Sequence, residues 1–390
     1  MKPLWRAIEY DFWIEAVVLL LMATGTVFVY SAGASVNPQS DLSHFYDFPM
    51  FKQILFFPAA VGIMLITRRV NYRRFNFCQG RWRQSLTPYL LALSIICLIL
   101  VLFFGVERNQ SRRWLDLAPG PMYVSFQPSE LAKWVMIIFL AAFLDRVGEG
   151  IRDFRKRFLP VCLLLALVAG LIVIEDFGTA LFIALLTFLM LWIGGAVWWH
   201  LLTPLAVAVP GFLAAILTST TRINRIKDFA ASLFGQGQVP YQALQSLKAI
   251  SSGGLWGAGL GQGVFKYGHL PEDTTDFIFA VISEELGFVG AIWVIVLFAL
   301  FLVLGIRVSL HCRDRFGTLL SAGIVLAIGI QATVNIGVVT VVLPTKGIPL
   351  PFVSAGGTSL LLTAAATGIL LNIARQMDQQ TEEAESADAA

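Results

Sequence analysis

The sequence predicts an all-α polytopic membrane protein with about ten transmembrane helices and one large extracytoplasmic loop. Two properties of the 390-residue chain carry this prediction: 57% of the residues are hydrophobic and only 14% are charged, whereas soluble domains carry about 25% charged residues. With so few charged residues, a soluble protein of this length could not cover its surface with polar side chains. Because the net charge is only +3, no basic footprint indicates a nucleic-acid partner.

Ten apolar runs are long enough, or nearly so, to cross a membrane as helices. A helix needs about 20 apolar residues to span the hydrocarbon core. The second run is short and is expected to include flanking residues, and only Glu175 and Asp176 separate the fifth run from the sixth. In chain order the runs are Phe12–Ser31, Gln53–Ile66, Leu86–Phe104, Phe126–Leu144, Phe158–Ile174, Phe177–Gly194, His200–Ser219, Phe277–Ile306, Thr318–Val342 and Pro351–Ile373.

Lysine and arginine are distributed unevenly among the segments between these runs. Seventeen of them lie at the two termini and in the loops on the same side, and the short loops on the opposite side hold far fewer. Short cytoplasmic loops of membrane proteins carry the excess of lysine and arginine. The sequence therefore predicts a multi-pass protein of the cytoplasmic (inner) membrane with its N- and C-termini in the cytoplasm.

The domain organisation follows from the lengths of the polar segments. Residues 1–377 are predicted to form one transmembrane domain, in which only the extracytoplasmic loop 220–275 is long enough to fold separately. Residues 378–390 are acidic, rich in small residues and aperiodic, so they are predicted to form a disordered cytoplasmic tail.

The large loop contains two recognisable patterns. Pro240 precedes Leu244 and Leu247 at helical spacing, which predicts an amphipathic helix at the membrane surface. Four glycines follow between Gly257 and Gly263, but they fit no phosphate-binding frame and no strand precedes them. These glycines are interpreted as backbone bends that fold the loop over the membrane.

Ionisable residues inside apolar runs cost about 2.5–3.5 kcal/mol each on insertion scales, so each is a candidate functional group. Glu130 and Lys133 lie three residues apart on one predicted helix, where they pair as a structural staple or as part of a substrate site. Glu284 and Glu285 lie in the eighth run, and Asp176 lies at the outer end of the fifth. For these three residues a structural and a functional role both stay open.

Asp276 is the last polar residue before the eighth run and is predicted to lie at the outer membrane surface. An aspartate at the start of a helix commonly caps the helix N-terminus. A carboxylate at the boundary between water and lipid is also where a general base or a metal ligand for a lipid-linked substrate would have to lie. The physical chemistry of the residues leaves both roles open.

Several motifs resemble those of the SEDS family (shape, elongation, division and sporulation), which includes FtsW, RodA and SpoVE. The two most specific are the Thr-Asp-Phe-Ile-Phe block at 275–279 and the Ser-x-Gly-Gly-Thr-Ser block at 354–359. With the ten-span topology, the resemblance covers nearly the whole chain. The other matching residues are Arg113-Trp114, Phe126–Glu130 with Lys133, Asp176–Thr179, Ser252–Gly254 with Gly257, Gly259 and Gly261, Leu270–Glu272, Glu284–Gly287, Asn335, Leu343-Pro344, Gly347 and Leu350-Pro351.

This resemblance implies a peptidoglycan glycosyltransferase that polymerises lipid II on the outer face of the membrane. Lipid II is a disaccharide-pentapeptide on undecaprenyl pyrophosphate. The implied partners are a class B penicillin-binding protein, which cross-links the strands, and proteins of the division or elongation complex. The branch is mixed. Lys266 with its preceding glycines and the stretch 343–347 resemble FtsW or SpoVE, whereas the stretches 113–117 and 347–351 resemble RodA. On balance the division branch is favoured over the elongation branch.

The resemblance also implies site residues and a cofactor. In the family, the aspartate at the position of Asp276 is essential for catalysis, so Asp276 is the expected general base or the ligand of a divalent cation, Mg²⁺ or Mn²⁺. The reaction needs positive charge beside the leaving diphosphate, and the candidate clamps are Arg112, Arg113, Lys248 and Lys266. The other candidate substrate-binding residues are Glu130, Lys133, Asp176, Ser354, Gly356 and Gly357.

Two rival functions are a lipid II flippase and a non-catalytic scaffold for a transpeptidase. A flippase needs its key charges distributed across the bilayer, whereas Glu130 and Lys133 are predicted near the outer end of their helix, which favours chemistry over transport. The carboxylate retained in the block 275–279 argues against a pure scaffold.

Overall fold

The protein is a bundle of long helices with a small antiparallel sheet, described by a computed structural model for residues 9–33, 49–77, 84–108, 111–116, 125–218, 220, 223–224, 227, 229–230, 240–344 and 347–389. The helices are α1 (Tyr10–Gly33), α2 (Pro49–Arg69), α3 (Thr87–Phe104), α4 (Pro128–Val147), α5 (Leu159–Val173), α6 (Phe177–Ile193), α7 (Trp198–Leu217), α8 (Tyr241–Gly253), α9 (Ile278–His311), α10 (Arg315–Val339) and α11 (Gly357–Ala389). The strands are β1 (Val106–Arg108), β2 (Ser111–Asp116) and β3 (Ser125–Phe126).

The predicted fold class, an all-α polytopic membrane protein, is confirmed. Each of the ten predicted runs overlaps one of the helices α1–α7 and α9–α11. Among the described residues, six helical segments are long and apolar enough to cross a membrane, and α6 and α7 are shorter apolar helices. That all ten runs cross the membrane stays a prediction.

The surface of the bundle is suited to lipid as the surrounding solvent. Large apolar side chains such as Phe103 on α3, Val207 on α7 and Phe288 on α9 are exposed. In water such a surface would be costly, because each buried CH₂ group stabilises a fold by about 0.8 kcal/mol. The interior is formed where α2 packs on α11, α3 on α4, and α9 on α1, α8 and α10.

Two segments outside the predicted spans, the helix after Pro240 and the C-terminal tail, each have a predicted structure. The predicted surface helix after Pro240 is present as α8, although parts of the loop 220–275 lie outside the described residues. Residues 378–389 continue α11 as far as Ala389, and the disorder predicted for this acidic tail stays a prediction. Glutamate, glutamine and alanine favour helix, and a helix already nucleated in the bundle extends through them at little cost.

Helix α9 is broken at Gly287, where the backbone φ is 68°. The break leaves backbone groups without intrahelical partners, and the loop after α8 supplies them. Phe288 N–H donates to the carbonyl of Gly254 at 2.9 Å, and Ala258 N–H donates to the carbonyl of Glu284 at 2.9 Å.

The glycines of this loop are backbone bends, as the sequence predicts. Gly257 has a φ of 80°, and a Cβ atom there would overlap the carbonyl of Glu285. Only glycine permits both the positive φ and the close approach of two backbones.

The two glutamates before the break are structural in this part of the chain. The Glu284 carboxylate accepts the backbone N–H groups of Val264 and Phe265. The Glu285 carboxylate is fully buried and lies 2.8 Å from Lys266 Nζ and 2.7 Å from Ser31 Oγ. These contacts tie the loop, α1 and α9 together beside the break.

We expect Lys266→Met to lower the free energy of unfolding by about 3–5 kcal/mol, because removing one partner leaves a buried charge uncompensated. Unfolding of the purified protein in detergent, followed by helical circular dichroism, measures this. Lys248→Met is the matched control: Lys248 is exposed on α8, and its loss should change stability by less than about 0.5 kcal/mol. Equal effects of the two substitutions would contradict a structural role for the buried pair.

Candidate active site

A cavity of about 520 Å³ opens at the end of the bundle where α4, α6 and α9 begin. Strand β2, the turn before α9, the segment 347–357 and the start of α11 complete its walls. Seven of the residues predicted from the sequence line it, namely Arg113, Glu130, Lys133, Asp176, Asp276, Gly356 and Gly357. Residues more than 240 positions apart along the chain therefore face one another.

Asp276 lies in the turn that precedes α9, and its side chain faces the cavity. Its backbone carbonyl accepts a hydrogen bond from Asn335 Nδ2 at 2.8 Å, whereas its carboxylate accepts none from the described residues. The N-terminus of α9 is capped by Phe277 without a side-chain hydrogen bond. The helix-capping alternative for Asp276 is therefore wrong, and the carboxylate is available to contact a molecule bound in the cavity.

The surroundings of Asp276 raise the pKa of its carboxyl from the ordinary value to about 7. Burial is the main cause, because it disfavours the charged form. The nearby charge of Glu272 raises the pKa further and Asp176 adds to it, whereas the Arg113 guanidinium lowers it. A carboxyl with a pKa near neutral is suited to general base catalysis at the pH of a cell surface.

Lys133 lies at the other end of the cavity, almost completely buried. Its ammonium lies 2.8 Å from Glu130 Oε2 and 2.9 Å from Gln331 Oε1, and Ser359 Oγ donates to the same glutamate oxygen at 2.9 Å. The pair is thus the staple that one alternative predicts, and it also lines the cavity. Because Glu130 balances its charge, Lys133 contributes little net positive charge to the cavity.

Arg113 is the better-placed cation. Its Nε donates to the carbonyl of Glu175 at 2.7 Å, and one terminal nitrogen lies 3.9 Å from Asp176 Oδ1. The side chain keeps 37% of its accessible surface, so a guanidinium with a fixed orientation faces the cavity. Arg113 projects from β2, which pairs with β1 and β3 in antiparallel fashion.

Asp176 fixes the start of α6 beside this arginine. As the N-cap of α6, its carboxylate accepts the backbone N–H of Thr179 at 3.1 Å and the Thr179 hydroxyl at 2.7 Å. Gln127 Nε2 donates to it at 3.2 Å. Asp176 is therefore fully engaged, and it contributes to the cavity as a rigid wall.

The structure places four predicted site residues outside the cavity wall. Arg112 is exposed and pairs with Glu107, Lys248 is exposed on α8, and Lys266 is buried against Glu285. Ser354 lies behind the wall, where its hydroxyl donates to the carbonyl of Thr275 at 2.5 Å. Of the four candidate diphosphate clamps, only Arg113 lines the cavity, because the others are turned to solvent or committed to structural pairs.

Sequence reasoning missed several polar residues of the cavity. Gln331 lies inside the mostly apolar ninth run, and an amide inside a span is a signal that a polar partner lies nearby. Gln127 and Ser359 lie within motifs that match the family, but the motifs alone do not indicate that their side chains face the cavity. The missed polar side chains in the wall are Ser111, Gln127, Thr179, Gln242, Glu272, Thr275, Gln331, Thr358 and Ser359.

The donor set for a divalent cation is small. Among the described residues, no group of three or more His, Cys, Asp or Glu side chains is placed to hold a metal ion. Asp276 and Glu272 are two carboxylates in one wall of the cavity. One or two carboxylates together with substrate phosphates are the usual ligands of Mg²⁺, so these residues fit a cation that arrives with a phosphate-bearing substrate.

Comparison with known proteins gives consistent matches over almost the full length. A family model described as a cell cycle protein, FtsW/RodA/SpoVE, matches residues 12–379. The stage V sporulation protein E of Bacillus subtilis is 38% identical over 373 residues, which is 94% of this chain and 97% of that protein. A protein of Trichlorobacter lovleyi named probable peptidoglycan glycosyltransferase FtsW is 38% identical, with 95% of this chain and 94% of that protein covered.

Two solved structures have the same fold. The rod shape determining protein RodA of Thermus thermophilus is 29% identical with a TM-score of 0.63, covering 96% of this chain and 99% of that one. A chain from work described as the structural coordination of polymerization and crosslinking by a peptidoglycan synthase complex is 25% identical with a TM-score of 0.71, covering 94% and 98%. The resemblance expected from the motifs is confirmed, and the chain, an integral membrane protein, belongs to the FtsW/RodA/SpoVE family.

Proposed function

We propose that this protein is a peptidoglycan glycosyltransferase that polymerises lipid II, with Asp276 as the general base. The observation that carries the proposal is the Asp276 carboxylate, which no described residue engages and which shares one cavity with the guanidinium of Arg113. Proteins named as peptidoglycan glycosyltransferases that match nearly the whole chain support the same activity.

The reaction joins two lipid-linked sugars by a single displacement. The 4-hydroxyl of an acceptor GlcNAc attacks the anomeric carbon of a lipid-linked MurNAc, and the bond from that carbon to the diphosphate breaks with inversion. Asp276 accepts the hydroxyl proton, which is worth about 10²–10⁴-fold in rate. The leaving lipid diphosphate carries away the electron pair and the negative charge.

Arg113 stabilises the charge that develops on the diphosphate. A guanidinium binds phosphate oxygens through two parallel hydrogen bonds, and its contacts with Glu175 and Asp176 hold it in place before substrate binds. Lys133 and Glu130 shape the inner end of the cavity. In the alternative to its role as base, Asp276 would hold a Mg²⁺ or Mn²⁺ ion together with Glu272, and the cation would supply positive charge to the diphosphate.

The cavity faces the outside of the cytoplasmic membrane in this proposal, and both termini lie in the cytoplasm. The support is the excess of lysine and arginine in the loops at the opposite end of the bundle. Lipid II displayed on the outer leaflet would then reach Asp276 directly.

The proposed partner is a class B penicillin-binding protein that cross-links the new strands within a division or elongation complex. A structurally similar chain belongs to a complex described as coordinating polymerization and crosslinking. Relatives named FtsW and the sporulation protein support a role in division or spore formation.

We expect Asp276→Asn to reduce polymerisation of lipid II by at least about 10²-fold, because the amide accepts no proton. Gel analysis of products made by the purified protein with its transpeptidase partner measures the rate. Asp273→Asn is the matched control, since Asp273 is a neighbouring carboxyl that burial also shifts, to a pKa of about 6, but that does not line the cavity. Equal activity of Asp276→Asn and wild type would leave a transporter or a scaffold as the function.

We expect the polymerisation rate to fall about tenfold for each pH unit below 7, because only the ionised form of Asp276 accepts the proton. Glu272→Gln removes a like charge that raises the pKa of Asp276. The fall in rate on the acidic side of the pH–rate profile (the acidic limb) should therefore move to lower pH. The rate measured in single turnover from pH 5 to 9 tests this. Glu107→Gln, at a residue outside the cavity, should leave the acidic limb in place. An acidic limb that Glu272→Gln does not move would contradict the assignment of Asp276 as the general base.

A further inference from the structure

Asn335 is a polar residue deep in α10 that contacts the turn carrying Asp276. It is 2% exposed. Its Nδ2 donates to the carbonyl of Asp276 at 2.8 Å and to the carbonyl of Ile348 at 2.7 Å. Because two carbonyl oxygens surround this nitrogen, the orientation of the amide is fixed by its donors. One side chain thus links two segments that both line the cavity.

The turn before α9 is held through three consecutive carbonyls. The carbonyl of Thr274 accepts Ala355 N–H at 2.9 Å, that of Thr275 accepts Ser354 Oγ at 2.5 Å, and that of Asp276 accepts Asn335. Since no described residue bonds the Asp276 carboxylate, the backbone alone sets its position. Among the described residues, Asn335 is the side chain that holds the backbone of Asp276 itself.

The second bond of Asn335 fixes the wall that the carboxylate faces. Gly347 immediately precedes Ile348, and a Cβ atom on it would lie 2.6 Å from Asp276 Oδ2. Gln331, one helical turn before Asn335, donates to the carbonyl of Pro349 at 2.9 Å. The same face of α10 therefore fixes both the carboxylate and the backbone beside it.

The remaining atom of Asn335 argues against a role in stability alone. Its Oδ1 is buried and has no hydrogen-bond partner in the described part of the chain. An unpaired buried acceptor destabilises a fold, so the Asn335 side chain carries a cost in stability at this atom. The two hydrogen bonds that its nitrogen donates explain why an amide side chain stands at this position.

We propose that Asn335 is the positioning residue for Asp276, whose backbone it holds at a fixed distance from the segment 347–349. This inference rests on the proposed function, in which Asp276 accepts the hydroxyl proton. A displacement of about 1 Å at a reacting group lowers a rate by about 10²-fold. Asn335 touches neither substrate nor reacting atoms, and it acts through Asp276.

The test is Asn335→Leu, which removes both donors and the unpaired acceptor. We expect kcat per folded enzyme to fall about 10- to 100-fold, with the KM for lipid II close to that of wild type. Released towards the cavity, the carboxylate loses part of its burial, so the acidic limb of the rate profile should move to lower pH. Partial unfolding would lower the rate equally at every pH. Thr333→Val on the same helix is the control, because its hydroxyl bonds only the carbonyl of Gly329.

Each outcome decides between positioning and the alternatives. A folded Asn335→Leu enzyme with wild-type kcat and an unmoved acidic limb overturns the positioning role while Asp276→Asn stays inactive. Full activity of Asp276→Asn removes the proposed base, and the positioning role with it. Should Asn335→Leu not fold, Asn335→Asp has the same size and cannot hold both carbonyls, so the same loss is expected. If neither variant folds, Asn335 is a folding determinant and the proposal fails.

Discussion

The break of α9 at Gly287 is the constraint on which the rest of this end of the molecule depends. A backbone inside a membrane protein must find all its hydrogen bonds within the protein, so the interrupted helix requires a second backbone beside it. The loop after α8 fills that need through Gly254 and Ala258. The short helical piece from Ile278 to Leu286 is thereby separated from the long one, and the turn with Asp276 comes to lie over the cavity.

Charge in this bundle is arranged in two different ways. Lys133 and Lys266 each lie 2.8 Å from a glutamate, so neither leaves an isolated charge in a medium where it would be costly. Arg113 instead remains partly exposed, between Asp176 and the cavity. In the proposed reaction this difference matters, because a cation that is already neutralised stabilises a leaving diphosphate less than one that is oriented and still available.

The sequence predicts the helices and part of the site for identifiable reasons. The apolar runs set the helices directly, and the short-range pair of Glu130 and Lys133 is visible as spacing on one helix. Lys266 is predicted as a diphosphate clamp because it is a cation on the outer side of the membrane. Its partners Glu285 and Ser31 lie on α9 and α1, and no local pattern in the sequence indicates such a pairing. The contacts of Gln331 are missed for the same reason, since its two partners, Lys133 of α4 and the carbonyl of Pro349, lie on separate segments.

The short piece of α9 has a mechanical consequence. From Ile278 to Leu286 it is about 13 Å long, with the break at Gly287 at one end and Asp276 at the other. Such an arm turns a small rotation at the break into a translation of the carboxylate. A side chain introduced at Gly257 or Gly287 would overlap the backbone of the other segment. Such a substitution, far from the cavity, would therefore act on the turn with Asp276 through this short helical piece.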